Sequence, residues 1–495
     1  MNNRHLVLVV AFILLLAKVN ATHIWGGELT YKVVSAASLT YEFTLTGYID
    51  TGSPVRFGDG IINFGDGTEA QIDLVADSYE DNEFLGPNNR FNLYRIKITH
   101  TYAAPGTYEI TYTEPNRNDE IININLGNSV QTPFLIKSLI IINPEFGLNS
   151  SPIFNTFPID FGFVGKIFTH NPWAWDPDGD SLAYRLVTPK MDPDQPVTNY
   201  LTPSNSEFYV SPLEWDLSNE SGNGPAQYKI NPFTGDLSWD APGNLLRHSV
   251  GDFSEYNLAL LVEEWRQING SWRRIGYVTR DFLVMVTAEE IGRPDFELPE
   301  DRMMTASESV QETITFQDPD GDPIKVEFFG EVFDLPNSPM MVSPLPADFT
   351  NGPLAVSLQW APLAWHVRQR PYYVHVKITD QPTDSRTDPA VTYKTWILSF
   401  ATIPDVVTGL PVSPDQSKFI VYPNPTSGKL RWQIPANSEP EYLTIYNCLG
   451  QRTISVNLTS NGVKEIDVSS LVNGVYLLQL TDGSRKYQIR FLKND

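Results

Sequence analysis

Alternating apolar and polar positions are the commonest pattern in this sequence. A side-chain period of two predicts half-buried β-strands. The pattern is clear near the start of the chain, where Leu39, Tyr41, Phe43 and Leu45 alternate with polar residues, and near its end in the pairs Leu443–Ile445, Val475–Leu477 and Ile489–Phe491. Glycines between the C-terminal runs predict tight turns. The chain has few long stretches with a helical period, so the pattern predicts an all-β protein.

The composition agrees with this fold class. The chain has 495 residues with 38 prolines, 32 glycines and 12% aromatic residues. This length exceeds one hydrophobic core, so three or four domains are expected. The single cysteine, Cys448, cannot form an intramolecular disulfide, and we expect it to fill space in a small core.

An internal repeat occupies the middle of the chain. Pro152 and Pro294 each stand 24 positions before the first aspartate of an Asp-Pro-Asp-Gly-Asp sequence, at Asp176 and Asp318. Three further pairs of segments correspond: 175–182 with 317–324, 237–242 with 358–362, and 256–264 with 372–380. Two copies of one β-sandwich module explain these echoes most simply.

Each repeat carries three carboxylates at alternate positions within five residues. They are Asp176, Asp178 and Asp180 in the first copy and Asp318, Asp320 and Asp322 in the second. Such clusters of hard oxygen atoms suit Ca²⁺. The loops are not EF-hands, because Gly179 and Gly321 precede the third carboxylate instead of following it. Asp-Pro-Asp-Gly is also a good type I turn, so the sequence leaves a calcium site and a purely structural turn both open.

The first copy is the longer one by an insertion, Met191 to Tyr228. The insertion is rich in Pro, Asn, Ser and Gly and contains Tyr209 and Trp215. Long loops on a rigid scaffold often carry binding sites, so Trp215 and Tyr209 are candidate ligand contacts. An inert surface insertion is the alternative.

Both copies resemble cadherin-like and related Ig-like modules over about residues 144–403. The resemblance rests on the aspartate loops, the Trp-x-Ala-Pro turn and the acidic residue that ends a Tyr-x-Val-type strand. It implies that Glu264 and Asp380, at those strand ends, are further calcium ligands. The cadherin Asp-Arg-Glu and interdomain Asp-x-Asn-Asp-Asn motifs are missing, so calcium bridging between domains is not expected.

The first module resembles the PKD repeat, an Ig-like β-sandwich. The resemblance rests on Phe-Gly-Asp-Gly-Thr at 64–68 and on the His-Thr-Tyr and Pro-Gly-Thr-Tyr segments within 100–108. It implies that Asp66 and His100 brace loops instead of binding a ligand.

The last 77 residues look like the type A C-terminal sorting domain of type IX secretion substrates in gram-negative bacteria. The motifs are Tyr-Pro-Asn-Pro from Tyr422, the Ile-Tyr and Leu-Gly-Gln turn, the Asn-Gly-Val-Tyr strand from Asn473 and a basic final hairpin. An ordinary C-terminal Ig-like domain is the alternative. The resemblance implies recognition by the type IX translocon and cleavage by its sortase. The residues that carry it are Pro423, Asn424, Pro425, Gly428, Gly450, Gly474, Tyr476 and Lys493.

The N-terminus agrees with export. Arg4 and His5 precede the apolar run Leu6 to Ala17, and a small-residue site predicts signal-peptide cleavage near Ala21. No later segment is apolar enough to cross a bilayer, so we expect no transmembrane anchor in the mature chain, which would be secreted or held at the outer cell surface. The net charge is −24, which argues against nucleic acid as a partner.

We therefore predict this domain order: signal peptide 1–21, PKD-like sandwich 22–145, first Ig/cadherin-like repeat 146–290 with insertion 191–228, second repeat 291–403, linker 404–417 and sorting domain 418–495. The sequence contains no HExxH, GxSxG, Walker or GxGxxG motif. The predicted function is a non-catalytic adhesion or binding protein with a surface glycan or cell-surface ligand as its partner. A secreted polysaccharide hydrolase, or a glycan-binding accessory protein, is the alternative.

Overall fold

Strands make up 52% of the computed structural model and helix 4%, so the all-β prediction is confirmed. The structure describes residues 24–51, 57–58, 60–72, 79–86, 89–249, 251–305, 308–384, 387–400, 420–433, 440–447, 452–458, 464–482 and 485–494. The predicted signal peptide, the 404–417 linker, Cys448 and Gly450 lie outside these residues. A short α-helix spans Pro212–Asp216, and 3-10 turns span Asn125–Gly127, Ser206–Phe208, Glu331–Phe333 and Ala364–His366. Among the described residues there is no helix that could span a membrane.

The described part of the first module contains eight strands. They are β1 (Ile24–Ser35), β2 (Thr40–Asp50), β3 (Ile61–Asn63), β4 (Glu69–Gln71), β5 (Tyr79–Leu85), β6 (Phe91–Thr101), β7 (Gly106–Glu114) and β8 (Phe134–Ile142). Tyr41, Phe43 and Leu45 of β2 are buried in one hydrophobic core. The pattern from the sequence therefore sets which face of β2 points inward.

The first repeat contributes the next group of strands. They are β9 (Ile153–Phe154), β10 (Gly162–Phe163), β11 (Phe168–His170), β12 (Ala174–Trp175), β13 (Ser181–Leu186), β14 (Lys190–Asp192), β15 (Gln195–Pro196), β16 (Gln227–Ile230), β17 (Leu237–Asp240), β18 (Phe253–Ile268) and β19 (Ser271–Thr287).

A long hairpin of β18 and β19 connects the first module with the first repeat. β18 pairs along one edge of β19, while β8, β1 and β10 each pair with a different part of the other edge. Gly26 of β1, for example, lies opposite Phe282 of β19. One sheet therefore continues across residue 145, where the sequence predicts a boundary between two domains; the domain limits themselves stay a prediction.

The second repeat forms two facing sheets. Its strands are β20 (Asp295–Phe296), β21 (Arg302–Met304), β22 (Val310–Gln317), β23 (Ile324–Phe329), β24 (Met341–Ser343), β25 (Leu354–Trp360), β26 (Tyr372–Asp380) and β27 (Val391–Phe400). One sheet has the order β20-β22-β25-β24, and β27-β26-β23 belong to the other.

The strand register repeats between the two copies. Phe168 lies opposite Trp239 in the first copy, as Val310 lies opposite Trp360 in the second. Both tryptophans are buried. Equivalent residues of the two copies thus occupy equivalent positions in their sheets, as the sequence echoes predict.

The chain forms two compact units. The first comprises the described residues of Met1–Asp301, Val310–Trp360 and Tyr372–Ile397, and the second those of Arg302–Ser309, Ala361–Pro371 and Leu398–Asp495. In the second unit, β21 runs parallel to Leu398–Phe400.

The C-terminal strands of the second unit form two sheets. They are β28 (Ile420–Tyr422), β29 (Lys429–Gln433), β30 (Tyr442–Tyr446), β31 (Arg452–Asn457), β32 (Glu465–Asp467), β33 (Gly474–Asp482) and β34 (Arg485–Lys493). The sheet orders are β28-β29-β32 and β31-β30-β33-β34. Both sheets contribute to one core, to which Trp432, Leu443, Tyr476 and Phe491 belong.

Candidate functional sites

The two aspartate loops share one backbone arrangement. Asp176 Oδ1 accepts hydrogen bonds from the backbone N–H groups of Asp178 and Asp180, both at 2.9 Å. Asp318 Oδ1 accepts the equivalent bonds from Asp320 at 2.9 Å and Asp322 at 3.1 Å. The first aspartate of each loop therefore caps a turn, which is the structural role expected of Asp at this position.

The middle aspartate of each loop contacts the segment that enters the module. Asp178 Oδ2 accepts a hydrogen bond from the backbone N–H of Ser150 at 2.6 Å, and Asp320 Oδ2 accepts one from the backbone N–H of Gly292. Both donors lie 28 residues upstream of their acceptor. The predicted metal ligands Asp178 and Asp320 thus also fix the entry segment of their module.

The predicted strand-end carboxylates reach the loops through strand register. Glu264 in β18 pairs with Leu182 in β13, and Asp380 in β26 pairs with Ile324 in β23. Leu182 and Ile324 each stand two residues after the last loop aspartate. The register therefore places each strand-end carboxylate beside its own loop, as the cadherin-like resemblance implies.

In the first copy the carboxylates of Asp176, Asp180 and Glu264 come together. One oxygen of each lies within 4.8 Å of the others, and all three residues are buried. Burial, and next the charge of Asp176, raises the pKa of Glu264 well above its usual value. Glu264 also accepts hydrogen bonds from Asn149 at 2.9 Å and from the Tyr31 hydroxyl at 3.3 Å. This environment favours the protonated form of Glu264.

Sequence reasoning missed Arg266, which lies in the first site. Its Nε donates to Asp180 Oδ1 at 2.7 Å, and one terminal nitrogen donates to Asp180 Oδ2. The other terminal nitrogen donates to the backbone oxygen atoms of Phe146 at 2.7 Å and Leu148 at 2.8 Å. The hydrogen bond with Asp180 raises the pKa of Arg266. Arg266 stands two residues after Glu264 on the same strand, so both side chains lie on one face, but this spacing does not identify Asp180 as the partner of Arg266.

In the second copy the clustered carboxylates are Asp318, Asp320 and Asp322, again within 4.8 Å of one another. Asp380 is fully buried beside them. Burial raises the pKa of Asp380 to about 8, a hydrogen bond from the Ala390 N–H opposes this, and the charges of the three loop aspartates add to it. The structure therefore clusters the three loop carboxylates of the second copy and places Asp380 next to them, outside the 4.8 Å cluster.

The predicted ligand contacts of the insertion lie against the core. Tyr209 is 7% exposed, and its hydroxyl donates to the backbone oxygen of Ala241 at 2.5 Å. Trp215 packs on the same hydrophobic core, and its indole N–H donates to the backbone oxygen of Ser204 at 2.9 Å. Both side chains thus have an internal role, and their contact with a ligand stays a prediction.

Asp66 and His100 brace the Phe-Gly-Asp-Gly-Thr turn at 64–68 of the first module. The His100 Nε2 and Asp66 Oδ2 atoms are 2.8 Å apart, and the His100 ring stacks on Phe64. Burial acts to raise the pKa of Asp66, but hydrogen bonds from Thr68 and His100 outweigh it and lower this pKa to about 2. Asp66 thus stabilises this turn as a carboxylate.

In the C-terminal unit, the Tyr-Pro-Asn-Pro segment is joined to the last strand. Asn424 Oδ1 accepts from the backbone N–H of Leu492 at 2.8 Å, and its Nδ2 donates to the backbone oxygen of Arg490 at 3.2 Å. Pro423 and Pro425 flank this asparagine. The segment therefore lies at the edge of β34, where prolines are tolerated.

The remaining motif residues lie near the same strand. Thr426 forms a parallel bridge with Lys493, which is buried. Gly474 lies opposite Lys493 in the pairing of β33 with β34. The Tyr476 ring stacks on Phe491, with ring centroids 5.6 Å apart. Gly428 stands three residues after Pro425, and its backbone oxygen accepts a hydrogen bond from the Val468 N–H at 2.7 Å. The structure thus brings the first and last motifs of the tail together.

Solved structures with some likeness to the chain are Ig-like and cadherin-like domain proteins. The N-terminal eight Ig domains of Down Syndrome Cell Adhesion Molecule are 10% identical with a TM-score of 0.16; the match covers 92% of this chain and 47% of that one. Mouse protocadherin-24 EC1-3 is 10% identical with a TM-score of 0.16, covering 70% and 92%. The human desmocollin-1 ectodomain is 12% identical with a TM-score of 0.15, covering 89% and 78%. TM-scores this low do not establish a shared arrangement.

No curated protein matches the sequence. The family described as "Secretion system C-terminal sorting domain" matches residues 420–494, which are the residues of strands β28 to β34. The predicted resemblance of the tail is confirmed. Residues 420–494 of this chain are a type IX C-terminal sorting domain.

Proposed function

We propose that the mature protein is a non-catalytic binding protein of the outer cell surface, where its β-sandwich modules attach the cell to a surface glycan or to a ligand on another cell. The sorting domain at residues 420–494 carries this proposal. A chain with this domain is a substrate of the type IX machinery, so the upstream modules work outside the cell.

The structural roles of two buried carboxylates, Glu28 and Asp281, support a function without catalysis. Glu28 accepts hydrogen bonds from Arg280 at 3.1 Å and from the Tyr48 hydroxyl at 2.8 Å. Asp281 pairs with Arg117 at 2.7 Å. A glycosidase needs one carboxyl group free to give a proton and another free to attack or to activate water. Glu28 and Asp281 are instead held in ion pairs that stabilise the sheet.

Calcium is the cation that the aspartate loops would take outside the cell. The loops offer only oxygen ligands, and buried carboxylate oxygen atoms of Asp318 and Asp380 have no hydrogen-bond partner. These features fit Ca²⁺. A bound ion would stiffen a module and would supply no reactive group.

Deletion of residues 418–495 tests the proposed route. We expect the truncated protein to accumulate in the periplasm, while the full chain reaches the cell surface. Normal surface display of the truncated protein would contradict the route. A release of reducing sugar from a polysaccharide, abolished by one Asp or Glu substitution, would replace the binding role with a hydrolase.

A further inference from the structure

The two repeats differ two residues after the strand-end carboxylate. The first repeat has Arg266 after Glu264, and the second has Pro382 after Asp380. The loops themselves share the same turn and the same strand register. The difference therefore concerns the positive charge available to each cluster and not the shape of the loop.

Arg266 supplies that charge in the first repeat. Its guanidinium forms two hydrogen bonds with Asp180 and anchors itself on the Phe146 and Leu148 backbone. The side chain is 20% exposed, and the Asp180 side chain is 4% exposed. A planar guanidinium held by a bidentate carboxylate is a fixed internal cation. It occupies ligand positions that a metal ion would need.

The second repeat has no such cation. Within the described part of the chain, Asp318, Asp320, Asp322 and Asp380 form no ion pair with Lys, Arg or His. Asp380 is 0% exposed; its Oδ1 accepts a hydrogen bond from the backbone N–H of Ala390 at 2.7 Å, and its Oδ2 has no partner.

Asp318 Oδ2 is also buried without a partner, and so is the equivalent Asp176 Oδ2 of the first repeat. The strand-end carboxylates differ, because both Glu264 oxygen atoms accept hydrogen bonds, whereas the second repeat leaves Oδ2 of both Asp318 and Asp380 unpaired. Both oxygen atoms therefore lose their hydration and receive no hydrogen bond in exchange. Burying carboxylates without such compensation is unfavourable. Three clustered loop carboxylates with the buried Asp380 next to them can be stabilised by a hard cation, which binds carboxylates and completes its shell with carbonyl oxygen atoms and water.

We propose that the second loop, formed by Asp318, Asp320, Asp322 and Asp380, binds one divalent cation of the calcium type, and that Arg266 replaces this cation in the first loop. The inference rests on one part of the proposed function, the extracellular location, because a module outside the cell meets calcium at millimolar concentration. It assigns the metal to one repeat instead of both.

Equilibrium dialysis of the mature full chain against calcium chloride, after chelation, counts the bound ions. We expect one Ca²⁺ per chain with a dissociation constant of about 10⁻⁴ to 10⁻³ M. Asp380→Asn abolishes the binding. This variant keeps the acceptor for the Ala390 N–H and removes a buried ionisable group, so its thermal midpoint without calcium stays equal or rises. Asp176→Asn, the matched change in the first repeat, leaves one ion bound.

Arg266→Gln tests the replacement directly. Removal of the guanidinium opens the first cluster, and we expect two ions per chain. A wild-type chain that binds no calcium, or two ions, overturns the inference, as does loss of the ion in Asp176→Asn instead of Asp380→Asn. If Arg266→Gln still binds one ion, Arg266 does not replace the cation. Surface display does not depend on these results, so failure of the cation site and failure of the proposed export are separate outcomes.

Discussion

The ring of Trp173 lies 5.5 Å from the ring of Tyr393, centroid to centroid, at an interplanar angle of 72°. This edge-on contact joins the two repeated modules. Phe329 of the second module packs on the same tryptophan, with the two ring centroids 3.8 Å apart. Close by, Thr169 Oγ1 accepts a hydrogen bond from the backbone N–H of Tyr393 at 3.0 Å and donates to the backbone oxygen of Val391 at 3.3 Å. Direct packing of aromatic side chains therefore fixes the junction between the modules.

Trp173→Ala should weaken this junction. The side chain is 3% exposed, and its removal leaves a cavity against Phe329 and Tyr393. We expect a loss of about 3 kcal/mol in the free energy of unfolding, measured by urea denaturation. Trp173→Phe keeps an aromatic ring and should lose about 1 kcal/mol. Equal stability of Trp173→Ala and the wild type would show that the contact does not hold the modules together.

Glu255 should make stability depend on pH. Burial raises the pKa of Glu255 to about 7, although a hydrogen bond from Asn118 opposes the shift. The unfolded chain loses this proton near pH 4.5, so the contribution of Glu255 to stability is complete below that pH and declines as pH rises toward 7. The slope is about 1.4 kcal/mol per pH unit.

Glu255→Gln removes this titration and keeps an acceptor for Asn118. We expect the variant to match the wild type at pH 4.5 and to exceed it by about 3 kcal/mol above pH 7. Denaturant unfolding at several pH values measures the difference. Glu207→Gln, at an exposed position, is the control and should follow the wild type. A constant difference between Glu255→Gln and the wild type across this range would argue against the buried acid.

Asn424→Ala should loosen the sorting domain. The substitution removes both hydrogen bonds that connect the proline-rich segment with β34, at a cost of about 1 to 2 kcal/mol. We expect faster proteolysis of the tail in the full chain and less protein at the cell surface. Asn494→Ala is the matched control, because the contact of Asn494 with Thr426 uses its backbone N–H. Unchanged protease resistance of Asn424→Ala would contradict this role.

Trp215→Ala should destabilise the first repeat. The substitution removes the indole hydrogen bond with Ser204 and the packing against the core, and we expect a loss of about 2 kcal/mol. Trp175→Ala, at a side chain that is 48% exposed, should cost less than about 1 kcal/mol. If the two variants unfold at the same denaturant concentration, the insertion does not depend on Trp215 for its packing.

Local sequence patterns predict much of this fold. The segment 372–380 is strand β26 itself, and the echo between 256–264 and 372–380 gives equivalent registers beside the two aspartate loops. These features depend on neighbouring residues and on short spacings. In β33 the sequence pattern uses Val475 and Leu477 as the alternating apolar pair, but Tyr476 and Leu478 are apolar too, so the pattern does not set which face points inward. The structure buries Tyr476 and Leu478 and leaves Val475 38% exposed.

Contacts between distant segments could not be predicted from these patterns. The pairing of Gly26 with Phe282 joins strands more than 250 residues apart. The residues of neither strand indicate which other strand it pairs with. Arg266 is 86 residues from Asp180, and a single arginine on a strand is ordinarily a solvated charge. The assignment of different cations to the two loops therefore needs the three-dimensional arrangement.

Attachment of cells is the most direct measurement of the proposed function. Cells that lack this protein, cells with the full chain and cells with the chain truncated after residue 417 are compared for adhesion to glycan-coated surfaces and to one another. The account predicts reduced adhesion without the protein, restoration by the full chain and no restoration by the truncated chain. Equal adhesion of all three, with release of reducing sugar by the purified mature protein, would contradict a binding role.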